Sequence, residues 1–182
     1  MTSTSPTFDV TAIGNAIVDV LARADDALLM QSFLQGLGDE SRRHRFHGAV
    51  NVCSSGLLRL MTCTDGSRHA AWVVVGMAPG GPRLLGEARF FRNAGGDEAE
   101  LALSVADDCR GQGVAHRLMQ TLVAAAGARG VQRLRAEVER SNLRMRAFVH
   151  RHGFAEAEAV DDAEPGILTL VRSVPDLLRA CP

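Results

Sequence analysis

The stretch EAELALSVADDCRGQGVA, residues 98 to 115, decides the fold of this chain. Its first half, from Ala99 to Val105, is compact and apolar and lies between turn-forming residues, which predicts a strand. Its second half carries Arg110, Gly111 and Gly113, which form a glycine-rich turn. The stretch therefore predicts a strand, a glycine turn and the start of a helix, in that order.

A helix is predicted to follow this turn, from about Val114 to Arg129, with Leu118, Leu122 and Ala126 on the same face as its first residue. The first amides of a helix have no intrahelical acceptor, and the helix dipole adds positive potential there. Glycine also lets a phosphate approach the backbone closely, so the turn is a candidate anion site. Its spacing is neither G-x-G-x-x-G nor G-x-x-x-x-G-K-[ST], which disfavours dinucleotides and nucleoside triphosphates as the ligand.

The length of 182 residues predicts one domain, large enough for a substantial core. The formal net charge is -1. A charge so close to zero predicts no nucleic-acid partner and no membrane partner. No apolar run approaches ~20 residues, and no secretory pattern is seen at the N-terminus. The four cysteines lack a C-x-x-C pair and zinc spacing, which predicts reduced thiols in a cytoplasmic protein.

The N-terminal segment FDVTAIGNAIVDVLA, residues 8 to 22, is apolar and β-branched around Gly14-Asn15. It is compatible with one strand, with a hairpin that turns at Gly14-Asn15, or with a strand that runs into a helix. Its D-x-x-x-x-G-N-x-x-x-D pattern, from Asp9 to Asp19, resembles the opening strand of ribokinase-like carbohydrate kinases. The chain is too short for that fold and lacks its G-A-G-D motif, so we assign Asp19 a structural role.

The rest of the chain alternates short helices with strands. Helical spacing predicts a helix over about 26 to 36 capped by Asp25, a second from Glu40 to Phe46, a third after Ser54 or Ser55, and a late one from Ser141 or Asn142 to His150. Two hairpins lead into the strand of 98 to 106, and the next strand is expected to lie parallel to it through a right-handed crossover. The predicted fold class is α/β (α+β), a mixed, mostly antiparallel twisted sheet with helices on both faces.

The loop Arg110-x-x-Gly113-x-Ala115 resembles the R/Q-x-x-G-x-G/A loop of the GNAT superfamily of N-acyltransferases, which holds the diphosphate of coenzyme A. Asn142, followed by Gly153-Phe154, resembles another element of that family. The segments together look most like the catalytic domain of bacterial protein lysine acetyltransferases. The resemblance covers roughly residues 24 to 173. It divides the chain into an N-terminal arm (1–23), an acyltransferase domain (24–174) and a tail (175–182).

The resemblance implies an acetyl-CoA-dependent N-acetyltransferase that acts on a primary amine, with a protein lysine as one candidate acceptor, no metal, and a homodimer as one candidate assembly. The alternative is a catalytically weak acyl-CoA sensor. The implied catalytic base is Glu100, weighed against Glu98 and Glu87. Coenzyme contacts are implied for Leu103, Val105, Arg110, Gly111, Gln112, Gly113, Val114, Ala115 and Asn142.

Some residues keep two interpretations from sequence. Many members of the family place a tyrosine seven residues after the asparagine, but this chain has Val149 there and no tyrosine at all. Water, Ser141 or His150 would then assist the leaving thiolate. Asn142 is either a helix cap or a cofactor contact. Arginines of the run 42 to 45 form a solvated face or reach an acidic substrate or a phosphate. Cys109 is expected to be a small apolar residue rather than a nucleophile.

Overall fold

The computed structural model describes residues 11–13, 16–20, 26–48, 54–92, 96–157 and 164–174. Its strands are β1 (Thr11–Ile13), β2 (Ala16–Val20), β3 (His69–Ala78), β4 (Gly81–Arg92), β5 (Glu98–Val105), β6 (Arg133–Glu139), β7 (Ala155–Glu156) and β8 (Ile167–Ser173). Its helices are α1 (Ala27–Gly36), α2 (Asp39–Phe46), α3 (Ser55–Thr62), α4 (Val114–Gly127) and α5 (Leu143–Arg151), and a short 3-10 turn at Asp107–Cys109 precedes α4.

The strands form one sheet in the order β1-β2-β3-β4-β5-β6-β8-β7. Neighbouring strands run antiparallel except β5 and β6, which are parallel and joined by α4. This arrangement confirms the predicted fold class, a mixed and mostly antiparallel sheet. The parallel crossover matters for function, because it brings the loop at the end of β5 and the start of α4 to one edge of the sheet.

The N-terminal segment adds a hairpin to the sheet. β1 and β2 pair antiparallel, with Ile13 opposite Ala16, and β2 then pairs with β3. Of the three sequence interpretations the hairpin is confirmed, although its turn at residues 14 and 15, like Asp9, lies outside the described residues.

Helices cover both faces of the sheet, as predicted. On one face α4 and α5 enclose a core that includes Trp72, Phe90 and Leu118. On the other face α1 and α3 pack on the sheet around Met30, Leu34 and Met61. α2 contributes no buried residue to either core. None of the described helices is long and apolar enough to cross a membrane.

The N-terminal end of α4 packs tightly on β4 at Gly86. A side-chain carbon at this glycine would lie 2.9 Å from the Ser104 carbonyl and 3.0 Å from Leu118. Contacts this short are not tolerated, so a glycine is needed for α4 to approach the sheet. The close approach fixes the start of α4 beside the end of β5.

Two predicted helix boundaries shift. α4 ends at Gly127 rather than near Arg129, because Gly130 takes a positive φ of 71° and the Val131 amide returns to the Ala126 carbonyl at 3.0 Å. α1 begins at Ala27 with Asp26 at the N-cap position, whereas the predicted cap, Asp25, lies outside the described residues.

Candidate active site

The candidate site is a cleft that opens where β5 and β6 stop pairing. The two strands are in register from Glu98–Arg133 to Leu101–Ala136, and both continue beyond this point without pairing to each other. A cavity of about 1030 Å³ lies in the gap. Its wall includes residues of both strands, of α2, of the loop before α4 and of α5.

Two backbone amides of β5 point into this cleft. The Ala106 amide donates to the Leu85 carbonyl on β4 at 2.8 Å. Because successive amides of a strand face opposite sides, the amides of Leu103 and Val105 face away from β4, toward the side from which β6 departs. Both residues line the cavity. The cleft thus offers hydrogen-bond donors at the positions where the resemblance implied cofactor contacts.

The loop after β5 has the geometry of an anion site. Gly111 and Gly113 adopt φ values of 76° and 85°, a region that favours glycine, and α4 starts directly afterwards. The backbone amides of residues 111 to 116 donate no hydrogen bond to any other residue that the structure describes. The first turn of α4 carries no acidic residue that would compete for them. These free amides and the positive end of α4 suit a phosphate group.

The structure brings most of the predicted loop residues to the cavity. Arg110, Gly111, Gly113 and Ala115 line it. Gln112 and Val114 do not: the side-chain Nε2 of Gln112 donates to the Asp108 carbonyl at 3.0 Å, and the side chain of Val114 is buried in the core under α4. Contacts of these two residues with a cofactor, if made, would come from their backbone amides at the start of α4.

Glu100 lies on the cavity wall at the opposite end from the loop. None of the described residues donates a hydrogen bond to its carboxylate. Partial burial raises the pKa of this carboxylate, and the nearby Glu137 carboxylate raises it further, against the opposing charge of Arg135. Glu100 is therefore reachable from the cavity, accepts no hydrogen bond from the part of the chain that the structure describes, and has a pKa shifted in the direction that favours a base.

The other two carboxylates considered from sequence are occupied. Glu87 is fully buried, and it accepts hydrogen bonds from Arg45 at 2.7 Å, Arg89 at 2.8 Å and Ser104 at 2.9 Å. Although burial raises it, the two arginine charges lower the pKa of Glu87 to about 2. Glu98 lies 3.3 Å from the Arg133 guanidinium and does not line the cavity.

Comparison with known proteins decides the family. The profile described as "Acetyltransferase (GNAT) family" matches residues 40 to 154, which is more than half of the chain. The chain belongs to the GNAT acetyltransferase family. The predictions of a GNAT domain and of an N-acetyltransferase enzyme are thereby confirmed.

Relatives of this GNAT domain carry the same activity in their names. Acetyltransferase Pat of Mycolicibacterium smegmatis is 34% identical over 115 residues, 63% of this chain and 34% of that protein, so the chain spans about a third of that relative. Acetyltransferase PA5475 of Pseudomonas aeruginosa is 26% identical over 141 residues, 78% of this chain and 76% of that protein. The crystal structure of the GNAT domain of S. lividans PAT superimposes with a TM-score of 0.77 at 29% identity, covering 88% of this chain and 91% of that one.

The GNAT domain has no side-chain acid at the position where many relatives place a tyrosine. Val149 is fully buried there. Neither sequence alternative lies in the wall of the main cavity: the Nδ1 of His150 lies 3.0 Å from the Phe154 carbonyl oxygen, and the Ser141 hydroxyl donates to Glu139 at 3.1 Å. Asn142 does line the cavity, and its side chain also caps α5 by accepting from the Met145 amide at 3.0 Å. The helix-cap interpretation of Asn142 is confirmed, and the cofactor contact stays a prediction that its place in the cavity wall allows.

Two contributions to the cavity could not be found from sequence. α2 forms part of its wall through His44, Arg45 and His47, although the run 42 to 45 has the composition of a solvated face. His116 on α4 and His152 after α5 also line it, with the Nδ1 of the first 3.2 Å from the Nε2 of the second. One sequence feature hints at a buried partner such as Arg45: the charged residues Glu87 and Arg89 lie in the middle of a strand that is otherwise largely apolar.

Cys109 is buried and lies 3.2 Å from an Arg83 nitrogen, and burial raises the pKa of its thiol. A thiol in this state is a poor nucleophile, in line with its expected packing role. Among the described residues, no group of three or more His, Cys, Asp or Glu side chains is arranged to hold a metal ion.

Proposed function

We propose that this GNAT domain transfers the acetyl group of acetyl-CoA to a primary amine, with a protein lysine as the acceptor class. The observation that carries the proposal is the arrangement of one cavity, which has an anion-binding loop at one end and the carboxylate of Glu100 at the other. The two β5 amides lie between them. The cleft therefore connects a place for a diphosphate to a place for a base.

The loop residues 110 to 115 bind the diphosphate of the coenzyme through backbone amides. The pantetheine arm then extends along the cleft, where the amides of Leu103 and Val105 are available as donors. In this position the thioester carbonyl lies against a strand amide, and a backbone donor stabilises the negative charge that develops on its oxygen. Nothing in this binding mode needs a metal ion.

Glu100 supplies the base. A lysine ammonium has a pKa of ~10.4, so at pH 7 only about one molecule in two thousand is neutral and nucleophilic. The Glu100 carboxylate accepts one proton from the ammonium, and the free amine nitrogen attacks the thioester carbon. A C–N bond forms and the C–S bond breaks, and the nitrogen, which is positively charged after the attack, gives up its second proton through water to the leaving thiolate. Because the leaving thiolate resembles that of cysteine, with a pKa of ~8.5, protonation by water suffices near neutral pH.

The test is thiol release from acetyl-CoA with an amine panel of poly-L-lysine, Nα-acetyl-lysine amide and spermidine, with mass spectrometry of the products. We expect amine-dependent thiol release together with an acetylated amine. If coenzyme A does not bind, or if no amine of the panel or of a cell extract is acetylated, the proposal is refuted.

A second candidate, an acyl-CoA sensor with weak catalysis, is favoured by one observation, the buried Val149 at the position of the family's tyrosine. It predicts coenzyme A binding in calorimetry without turnover on any amine. Turnover with any member of the panel would exclude it.

A further inference from the structure

The helix α2 is a wall of the cavity that hydrophobic contact holds at one residue, Phe46, which is partly buried against the core of α1 and α3. Its sequence, DESRRHRF, is almost entirely charged or polar, and none of its residues is fully buried. Five residues between Glu40 and His47 nevertheless line the cavity that contains Glu100. Helices of this size are marginal without packing, and one partly buried phenylalanine is little packing, so polar contacts contribute to the position of this helix.

The first turn of α2 is attached to the phosphate loop by one carboxylate. The two oxygens of Asp107 accept from the Gly38 amide at 2.8 Å and from the Ser41 hydroxyl at 2.6 Å. Asp107 also forms an ion pair with Arg110, whose guanidinium donates to Ser41 at 2.5 Å. Although partial burial opposes it, the bonds from Ser41 and Gly38 hold the pKa of Asp107 below its ordinary value, so the group stays ionised.

The backbone at Gly38 lies in close contact with the Asp107 carboxylate. A side-chain carbon at this glycine would lie 3.0 Å from an Asp107 oxygen. The backbone that precedes α2 therefore lies directly against the carboxylate at the start of the 3-10 turn.

The last turn of α2 is attached to β4 and β6. Arg45 donates to the buried Glu87 at 2.7 Å, and His44 lies 3.5 Å from the Glu139 carboxylate on β6. α2 thus extends across the cavity from the loop before α4 to the middle of β4 and the last residue of β6. Burial raises the pKa of Glu100, and the charges of Arg45 and His47, at the C-terminal end of α2, act on Glu100 and lower its pKa against that rise. The position of α2 sets the shape of the end at which an amine must meet Glu100.

We propose that Asp107 is a positioning residue that couples occupancy of the phosphate loop to the placement of α2, and through α2 to the amine end of the cavity. This inference rests on the proposed function. A diphosphate on the amides of 111 to 116 orders the loop, and Asp107 transmits that order to α2. By linkage, coenzyme A and the amine then strengthen each other's binding by the same factor.

The test is amide hydrogen exchange with coenzyme A and, separately, with pantetheine, which lacks the diphosphate. In the wild type we expect coenzyme A to slow exchange about fivefold or more both in the loop, 111 to 116, and in α2, 39 to 46. Pantetheine should leave α2 unchanged. In Asp107→Asn, coenzyme A should still slow the loop while its effect on α2 disappears.

Ser41→Ala is a second variant that removes two bonds of the attachment, to Asp107 and from Arg110, and keeps the bond from the Gly38 amide to Asp107. Both lost bonds are exposed, so this variant tests the coupling even if Asp107→Asn does not fold. The matched control is Asp39→Asn, which breaks an exposed pair with Arg42 on the same helix and should keep the wild-type response. In the thiol-release assay with poly-L-lysine, Asp107→Asn should raise the KM for the amine at saturating acetyl-CoA and the KM for acetyl-CoA at saturating amine by a similar factor, because the coupling is reciprocal.

The outcomes separate the two proposals. The coupling is overturned if coenzyme A slows amide exchange only in the loop of the wild type, or if it still slows exchange in α2 of both variants. Either result leaves the proposed function intact. Absence of any slowing by coenzyme A in the loop overturns the proposed function as well.

Discussion

Two carboxylates on the same side of the sheet, Glu87 on β4 and Glu100 on β5, have opposite environments. Glu87 lies in the closed centre of the sheet, with three hydrogen-bond donors and no solvent exposure. Glu100 lies on the cleft, with no donor among the described residues and a carboxylate as its neighbour. The pKa of Glu87 falls to about 2, whereas the pKa of Glu100 rises. Both groups lose solvent, so the partners, and not burial alone, decide which carboxylate can accept a proton.

The largest expected effect is on catalysis. Glu100→Gln keeps the size of the side chain but removes its ability to take a proton, so kcat/KM should fall about 10²- to 10⁴-fold while the melting temperature is unchanged. Thiol release and thermal unfolding measure the two. The matched control is Glu98→Gln, two residues earlier on the same face, which should retain activity. Equal losses in both variants would contradict the distinction between Glu100, which lines the cavity, and Glu98, which does not.

The next effect is on stability. Glu87→Gln leaves the buried charge of Arg89 and the charge of Arg45 without a counterion, which should lower the free energy of unfolding by about 3–5 kcal/mol. Urea unfolding measures it, with Glu156→Gln as the control, because its pair with Arg146 is 3.7 Å long and half exposed. An exposed ion pair contributes less than about 1 kcal/mol. A loss in that range would show that the ion pairs of Glu87 with Arg45 and Arg89 do not stabilise the centre of the sheet.

A smaller loss of stability is expected for Ser104→Ala. This change removes one of the three hydrogen bonds to Glu87 and leaves both arginines in place, so we expect a loss of about 1.5 kcal/mol. Ser141→Ala removes a bond of the same type, from serine to glutamate, at an exposed position. Urea unfolding of the two variants should therefore differ, and equal losses would contradict the role of burial.

The smallest effect is a shift in pH dependence. The Glu137 charge raises the pKa of Glu100, so Glu137→Gln should lower it. Because the base acts when deprotonated, activity falls as the pH falls through its pKa, and the acid limb of kcat/KM should move to lower pH in the variant. Glu139→Gln on the same strand is the control and should leave the limb in place. A shift to higher pH in Glu137→Gln would contradict the electrostatic account of Glu100.

The parts of the site predicted from sequence are those that local rules control. The strand, the glycine turn and the helix start lie in one continuous stretch, and strand alternation placed Glu100 on a different face from Leu101 and Leu103. The sequence placed Gln112 and Val114 in the loop but did not show that their side chains stay out of the cavity. The direction of these side chains depends on how the first turn of α4 is oriented.

The parts that could not be predicted depend on distant contacts. Arg45 and Glu87 are 42 positions apart, and the pairing of a charged helix with a strand interior follows from packing rather than from any local pattern. The same holds for Asp107 and Ser41, 66 positions apart. The point at which β5 and β6 part is likewise a property of the assembled sheet. Roles for His44 and His47 in the cavity wall were therefore beyond reach.

The separation of β5 from β6 also affects the tendency of the chains to self-associate. The unpaired amides of Leu103 and Val105 form a strand edge in the middle of the sheet, and such an edge is a template on which an extended peptide can add. A molecule that fills the cleft covers this edge. Solubility at high concentration should therefore follow ligand occupancy, so that the ligand-starved domain is the form in which chains most readily self-associate.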